Sequence, residues 1–140
     1  MSDRHPTKRL REPGGSRADI DIMLVPLIKA LWAAGYDTIG SCQDLGESLR
    51  RHERQSAYWK GYVLLEMPVA DTLRLLNAAA DSPLIDRMMH WAAPGAWEVG
   101  LPIMPVSPFN DDGDAEVTPW AQIHFPNDQL DDLAKVITAG

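Results

Sequence analysis

The stretch AYWKGYVLLEMPVADTLRLLNAAA, residues 57–80, changes its period at a proline. Up to Met67 it is rich in aromatic and branched residues, the composition of a strand. From Pro68 onward, Val69, Leu73, Leu76 and Ala80 recur at helical spacing. Pro68 suits a helix start, because a first turn leaves its backbone N–H unpaired in any case. The expectation is a strand passing directly into a helix.

Reading outward toward the N-terminus, DIDIMLVPLIKALWAAG (19–35) places Ile20, Leu24, Leu27 or Ile28, and Leu31 at helical spacing. Asp19 and Asp21 offer capping oxygens, and Pro26 in the first turn puts the regular helix start at Met23 to Val25. Gly35 suits the left-handed residue just past the helix end, with Tyr36 closing over it. TIGS (38–41) reads as a short strand, and the polar GESLRRHERQS (46–56) as a long loop. Toward the C-terminus, SPLIDRMMHW (82–91) reads as a short helix with Ser82 as cap. AWEVGLPIM (96–104) alternates like a strand, with Pro102 marking an edge or bulge. SPFNDDGDAE (107–116) reads as a loop, VTPWAQIHF (117–125) as a strand, and NDQLDDLAKVITA (127–139) as an amphipathic helix carrying Leu130, Leu133 and Ile137.

The order is helix, strand, strand, helix in two pieces, strand, strand, helix: αββαββα. The predicted fold class is α+β, a single small domain whose mostly antiparallel sheet carries helices on one face, matching a permuted ferredoxin-like sandwich. No internal repeat shows in the residues themselves. Residues 1–17, with Pro6, Pro13, a Gly14-Gly15 pair and Leu10 as the sole aliphatic residue after Met1, read as a disordered basic arm, dispensable for folding, ahead of a domain at 18–140.

A chain of 140 residues with 45% hydrophobic and 24% charged residues has ordinary globular composition and needs no disulfide or metal to fold. No apolar run approaches the roughly 20 residues that span a bilayer, the N-terminus lacks a signal-peptide core, and one cysteine forms no intrachain disulfide. These features predict a cytoplasmic protein without a membrane partner. The net charge of −7 falls on residues 98–140, so residues 1–97 sum to zero. An acidic chain argues against non-specific nucleic-acid binding. The basic clusters in the arm and at Arg50, Arg51, Arg54 and Lys60 read as solvated charge or as contacts to a specific anionic ligand.

The polar cluster Thr38, Ser41, Cys42, Gln43 and Asp44 at the end of the short strand is the candidate site, since hydroxyls, an amide and a carboxylate on a rigid base make a binding loop. The alternative is a turn that consumes the same groups on local backbone. Trp120, Gln122 and His124 share one face of their strand and could line a pocket for a planar ligand. Tyr58, Lys60 and Tyr62 share a face of theirs. The predicted binding set is therefore Thr38, Ser41, Cys42, Gln43, Asp44, Tyr62, Trp120 and His124. No spacing ties His52, His90 or His124 to Cys42, so no catalytic residue is assigned. The scattered histidines give no metal pair and no motif signals a cofactor. NDDGD (110–114) resembles a calcium loop but lacks the later glutamate, and its Asp112-Gly113 reads as a hairpin turn.

The pattern of a PLI-x-x-L helix, then AGYDTIGSC, then an AY…V strand resembles short uncharacterised proteins of actinobacteria and their phages. It is more faintly similar to the wybutosine-pathway tRNA methyltransferase family, on Thr38, Ser41 and Cys42. Gln43, Asp44 and Leu45 stand where that family has serine, glycine and arginine. The similarity covers about residues 20–66 and would imply an RNA-modifying enzyme. From the residues alone, the leading expectation is a small protein that binds a polar or anionic ligand, or a protein partner, through residues 38–44. An RNA- or nucleotide-modifying enzyme is the alternative, and a ligand-free interaction module, dimeric through a sheet edge, is the third.

Overall fold

The computed structural model describes residues 6–44, 60–88, 95–101, 103–105, 115–117 and 120–139, with backbone alone in 103–105 and 115–117. The expectations at Arg50, Arg51, Arg54, His52, Tyr58, His90 and residues 110–114 lie outside the described residues.

Strand β4 (Tyr62–Pro68) and strand β8 (Trp120–Pro126) form the centre of a four-stranded sheet, paired antiparallel along all seven residues of each. Short strands β3 (Gly40–Cys42) and β5 (Glu98–Gly100) flank them, giving the antiparallel order β3-β4-β8-β5. Val63, Leu65 and Met67 alternate inward from β4, and Ala121, Ile123 and Phe125 from β8. Against this face pack helix α1 (Val25–Ala33) with Leu27, Ile28 and Leu31, helix α2 (Val69–Ala80) with Leu75 and Ala79, and helix α4 (Leu130–Ala139) with Leu133 and Ile137. Helix α4 packs against both α1 and α2. A short helix α3 (Ile85–Met88) follows α2. The molecule is thus α+β, a small single domain with antiparallel sheets, as its pattern predicts. Among the described residues, no helix is long and apolar enough to cross a membrane.

Local chemistry explains the joints. Gly35, at φ 87°, ends α1, and the Tyr36 N–H donates to the Leu31 carbonyl (2.9 Å) while its ring buries beside Arg74, whose guanidinium carbon lies 4.0 Å from the ring centre. Trp97 stacks on Phe125 at 4.8 Å and donates to the buried Gln129 Oε1 (2.7 Å), which satisfies its indole N–H inside the core.

Four expectations are corrected. First, residues 7–17 are not a disordered arm. Strand β1 (Thr7–Arg11) pairs antiparallel with β2 (Arg17–Asp21), and Leu10 and Ile20, each 7% exposed, close over the core. Pairing through the Gly14-Gly15 turn satisfies the backbone, which lets two aliphatic side chains suffice. Second, Asp21 does not cap the helix: the turn Ile22–Leu24 precedes α1, and the Asp21 carboxylate accepts from Gln43 instead. Third, α2 buries Thr72, Leu75 and Ala79 rather than the Leu73 stripe, and Leu73 is 58% exposed. Fourth, the strand expected over 96–104 divides into β5, which joins the main sheet, and β6 (Ile103–Pro105), which pairs with β7 (Ala115–Val117). The expected strand over 117–125 likewise divides between β7 and β8.

The register also discloses a repeat that the residues hide. Gly40 pairs with Glu66 and Cys42 with Leu64. Glu98 pairs with His124 and Gly100 with Gln122, each residue 58 positions beyond its counterpart. Both central strands end in proline and pass straight into a helix. Three residues past each proline, Asp71 and Gln129 reach back to the approach to the edge strand, accepting from the Asp37 N–H (3.3 Å) and the Trp97 indole (2.7 Å). The two units, β3-β4-α2 and β5-β8-α4, meet about a pseudo-twofold axis at the Leu65–Ile123 pair.

Candidate functional site

The strand pairings place polar side chains on the sheet face opposite the one on which the described helices α1, α2 and α4 pack. Residues directly opposite on neighbouring strands lie on the same face. One cross-strand row therefore reads Cys42, Leu64, His124, Glu98, and the next reads Gly40, Glu66, Gln122, Gly100. Tyr62 and Pro126 lie beyond the first row, Pro68 and Trp120 beyond the second. Cys42, Tyr62, Leu64, Glu66, Trp120, Gln122 and His124 are half-buried, whereas Glu98 is exposed.

The central groups constrain one another. Gln122 Nε2 donates to Glu66 Oε2 (3.0 Å). The other carboxylate oxygen lies over Gly40, where an added Cβ would meet it at 2.5 Å, so the glycine gives Glu66 its place. Burial holds the His124 imidazole below its ordinary 6.5, while Glu98 and Glu66 pull it back upward. The Tyr62 hydroxyl accepts from the Gly95 N–H (3.0 Å), and Gly95 adopts φ 89° there. The result is an imidazole whose neutral form burial favours, on one face with two carboxylates and an amide, and with Tyr62 and Trp120 at the two ends of that face.

Of the predicted binding residues, the structure gathers Cys42, Tyr62, Trp120 and His124 on this face and separates the other four from it. Ser41 pairs with Leu65 and belongs to the helix side. The Thr38 hydroxyl accepts from the Trp32 indole (3.0 Å). Gln43 Oε1 accepts from the Met23 N–H (3.1 Å), its own N–H donates to Asp21 (2.9 Å), and its carbonyl accepts from Asn127 Nδ2 (3.3 Å). Asp44 Oδ1 accepts from the Gly61 N–H (3.1 Å). Residues 43–44 thus brace the end of the hairpin, the start of β4 and the β8–α4 junction. Their partners lie far along the chain, unlike those of a local turn.

Cys42 and His124 sit two strands apart, about 10 Å at the usual strand spacing, with Leu64 between them. That separation keeps the imidazole from activating the thiol directly. Among the described residues, no group of three or more His, Cys, Asp or Glu side chains could hold a metal ion.

Sequence reasoning missed Glu66 and Glu98. The signal for Glu66 was present: it is the one charged residue inside VLLEMP, at the same parity as Tyr62. Glu98 could be placed beside His124 only by the register. No family model matches the chain, and neither a curated protein nor a solved structure matches it.

Proposed function

We propose that this chain is a binding protein that takes a small polar ligand on the sheet face opposite the helices, with residues 38–44 as the frame that holds the face in place. The observation that supports this is the pair of cross-strand rows that put Glu66, Gln122, His124 and Glu98 together around the pseudo-twofold axis. Hydrogen-bonding groups on the rigid centre of a sheet are held for recognition at little ordering cost. Two carboxylates favour a ligand that donates hydrogen bonds or carries positive charge, so an anionic ligand is the less suited. Tyr62 and Trp120, at opposite ends of the face, offer ring surfaces to its apolar part. The order β3-β4-β8-β5, antiparallel throughout, supports a permuted ferredoxin-like sandwich as its scaffold, elaborated by the extra helix and the β1–β2 hairpin.

The RNA-modifying reading draws no comparable support, because Thr38, Ser41 and Cys42 do not converge on one surface. A thermal-shift screen of small amines, amides and anions tests the binding reading. A ligand at 100 times its dissociation constant stabilises by about 2.7 kcal/mol. The expected result is stabilisation by an amine or amide that Glu66→Gln and His124→Ala each weaken at least tenfold. Ligands that bind both variants as tightly as the parent chain would defeat the assignment of this face.

A further inference from the structure

Two glycines end the row that holds Glu66 and Gln122: Gly40 pairs with Glu66, and Gly100 with Gln122. Neither takes a positive φ, so the backbone does not call for glycine at either place. Gly40 is explained by its neighbour, since the Glu66 carboxylate occupies the space of a Cβ. Gly100 has no such neighbour. It is exposed, and among the described residues nothing lies within 4 Å of the place its Cβ would take. Glycine weakens a strand, and strands use it where a ligand or another backbone comes close.

The strand pairings set the surroundings of Gly100. Gln122 lies directly across, Glu98 is the next residue on that face of β5, and Trp120 is the next on β8, away from Glu98. A carboxylate only accepts hydrogen bonds. The bond from Gln122 Nε2 to Glu66 Oε2 (3.0 Å) therefore commits the amide NH2 to Glu66 and leaves Oε1 as an acceptor. No lysine or arginine among the described residues pairs with Glu66, so this part of the face carries negative charge without a fixed cation. Resting on the reading of this face as the binding site, we propose that Gly100 is the floor of a subsite for a planar amidinium or guanidinium group. Its diverging N–H groups bond Gln122 Oε1 and the Glu98 carboxylate on the adjacent strand, and its apolar part lies across the Gly100 backbone toward the Trp120 ring. A planar fork matches two acceptors held side by side better than the compact charge of an ammonium does. Glu98 selects the charged group over a neutral amide.

Isothermal titration calorimetry of the full chain with benzamidine, benzylamine and benzamide, which share a ring and differ in head group, tests the proposal. Benzamidine should bind about tenfold or more tighter than either of the others. Gly100→Val fills the open position with a side chain that suits an exposed edge strand, so Tm should hold or rise while benzamidine affinity falls about tenfold or more. Glu98→Gln tests the same subsite without touching the backbone, and should weaken benzamidine by a similar factor while leaving benzamide nearly unchanged. Absence of benzamidine binding, benzylamine binding as tightly, or a Gly100→Val or Glu98→Gln variant that binds benzamidine as the parent does each overturns the subsite. If other ligands still lose affinity in Glu66→Gln and His124→Ala, the face stands as the binding site and only the subsite at Gly100 falls. If no ligand depends on Glu66 and His124, both fall.

Discussion

Asp44 and His124 show how a single side chain divides between structure and chemistry. The Asp44 carboxylate accepts from the Gly61 N–H, and Gly61, at φ 77°, in turn accepts from the Asn127 N–H (2.7 Å). Asp44→Ala would leave a partly buried N–H without its partner, so stability should fall by about 1–3 kcal/mol. Urea denaturation measures it, and a loss under about 0.5 kcal/mol, the range of ordinary surface sites, would remove Asp44 from the frame. His124 makes a second prediction. Its folded pKa lies below the 6.5 of the unfolded chain, so between those two values the unfolded chain binds more protons. Stability should therefore drop as pH falls through 6.5 and level off below the folded pKa. His124→Gln should flatten that segment of the curve, as melting temperatures from pH 8 to pH 5 would show. An unchanged profile would mean that other groups carry it.

At the scale of elements, the hairpin carries the largest departure from expectation. Residues 1–17 read as an arm because Leu10 is their sole aliphatic residue after Met1, yet Leu10 and Ile20 suffice once the paired strands present them together. Removing residues 1–17 strips β2 of its partner and exposes core surface otherwise covered by Leu10. Burial of one leucine is worth about 1.5–3 kcal/mol, so the truncated chain should melt several degrees lower. Differential scanning calorimetry checks this, and an unchanged Tm would show that the hairpin adds nothing to the core. Helix α2 teaches a related point. Leu73, Leu75 and Leu76 lie within four residues, so more than one stripe is apolar, and only the position of the sheet beneath selects Thr72, Leu75 and Ala79.

For the whole molecule, the pseudo-twofold places the longest pairing, β4 with β8, between the two repeated units. Neither unit keeps a closed core without the other, since the two central strands supply Val63, Leu65, Met67, Ile123 and Phe125 to one buried cluster. Unfolding should therefore be a single cooperative transition. Tryptophan fluorescence and far-ultraviolet circular dichroism should give coincident curves, and a separated second step would show that the units fold independently.

The residues by themselves determined the α+β class, the strand–proline–helix joint at Pro68, the closure of α1 by Gly35 and Tyr36, and the inward face of α4. All of these follow from short-range rules: period, proline's missing N–H, and glycine's access to positive φ. The residues also put Trp120, Gln122 and His124 on one face, because alternation along a strand is local. Tertiary structure decided the rest. The neighbour of each strand depends on packing between segments dozens of residues apart, so the meeting of Glu66 with Gln122 and of Glu98 with His124 could not be read from spacing. The same holds for the frame role of Gln43 and Asp44, whose partners lie 17 or more positions away. The repeat stayed hidden because a buried strand requires only apolar volume at alternate positions. Val63, Leu65 and Met67 therefore answer to Ala121, Ile123 and Phe125 with no residue in common.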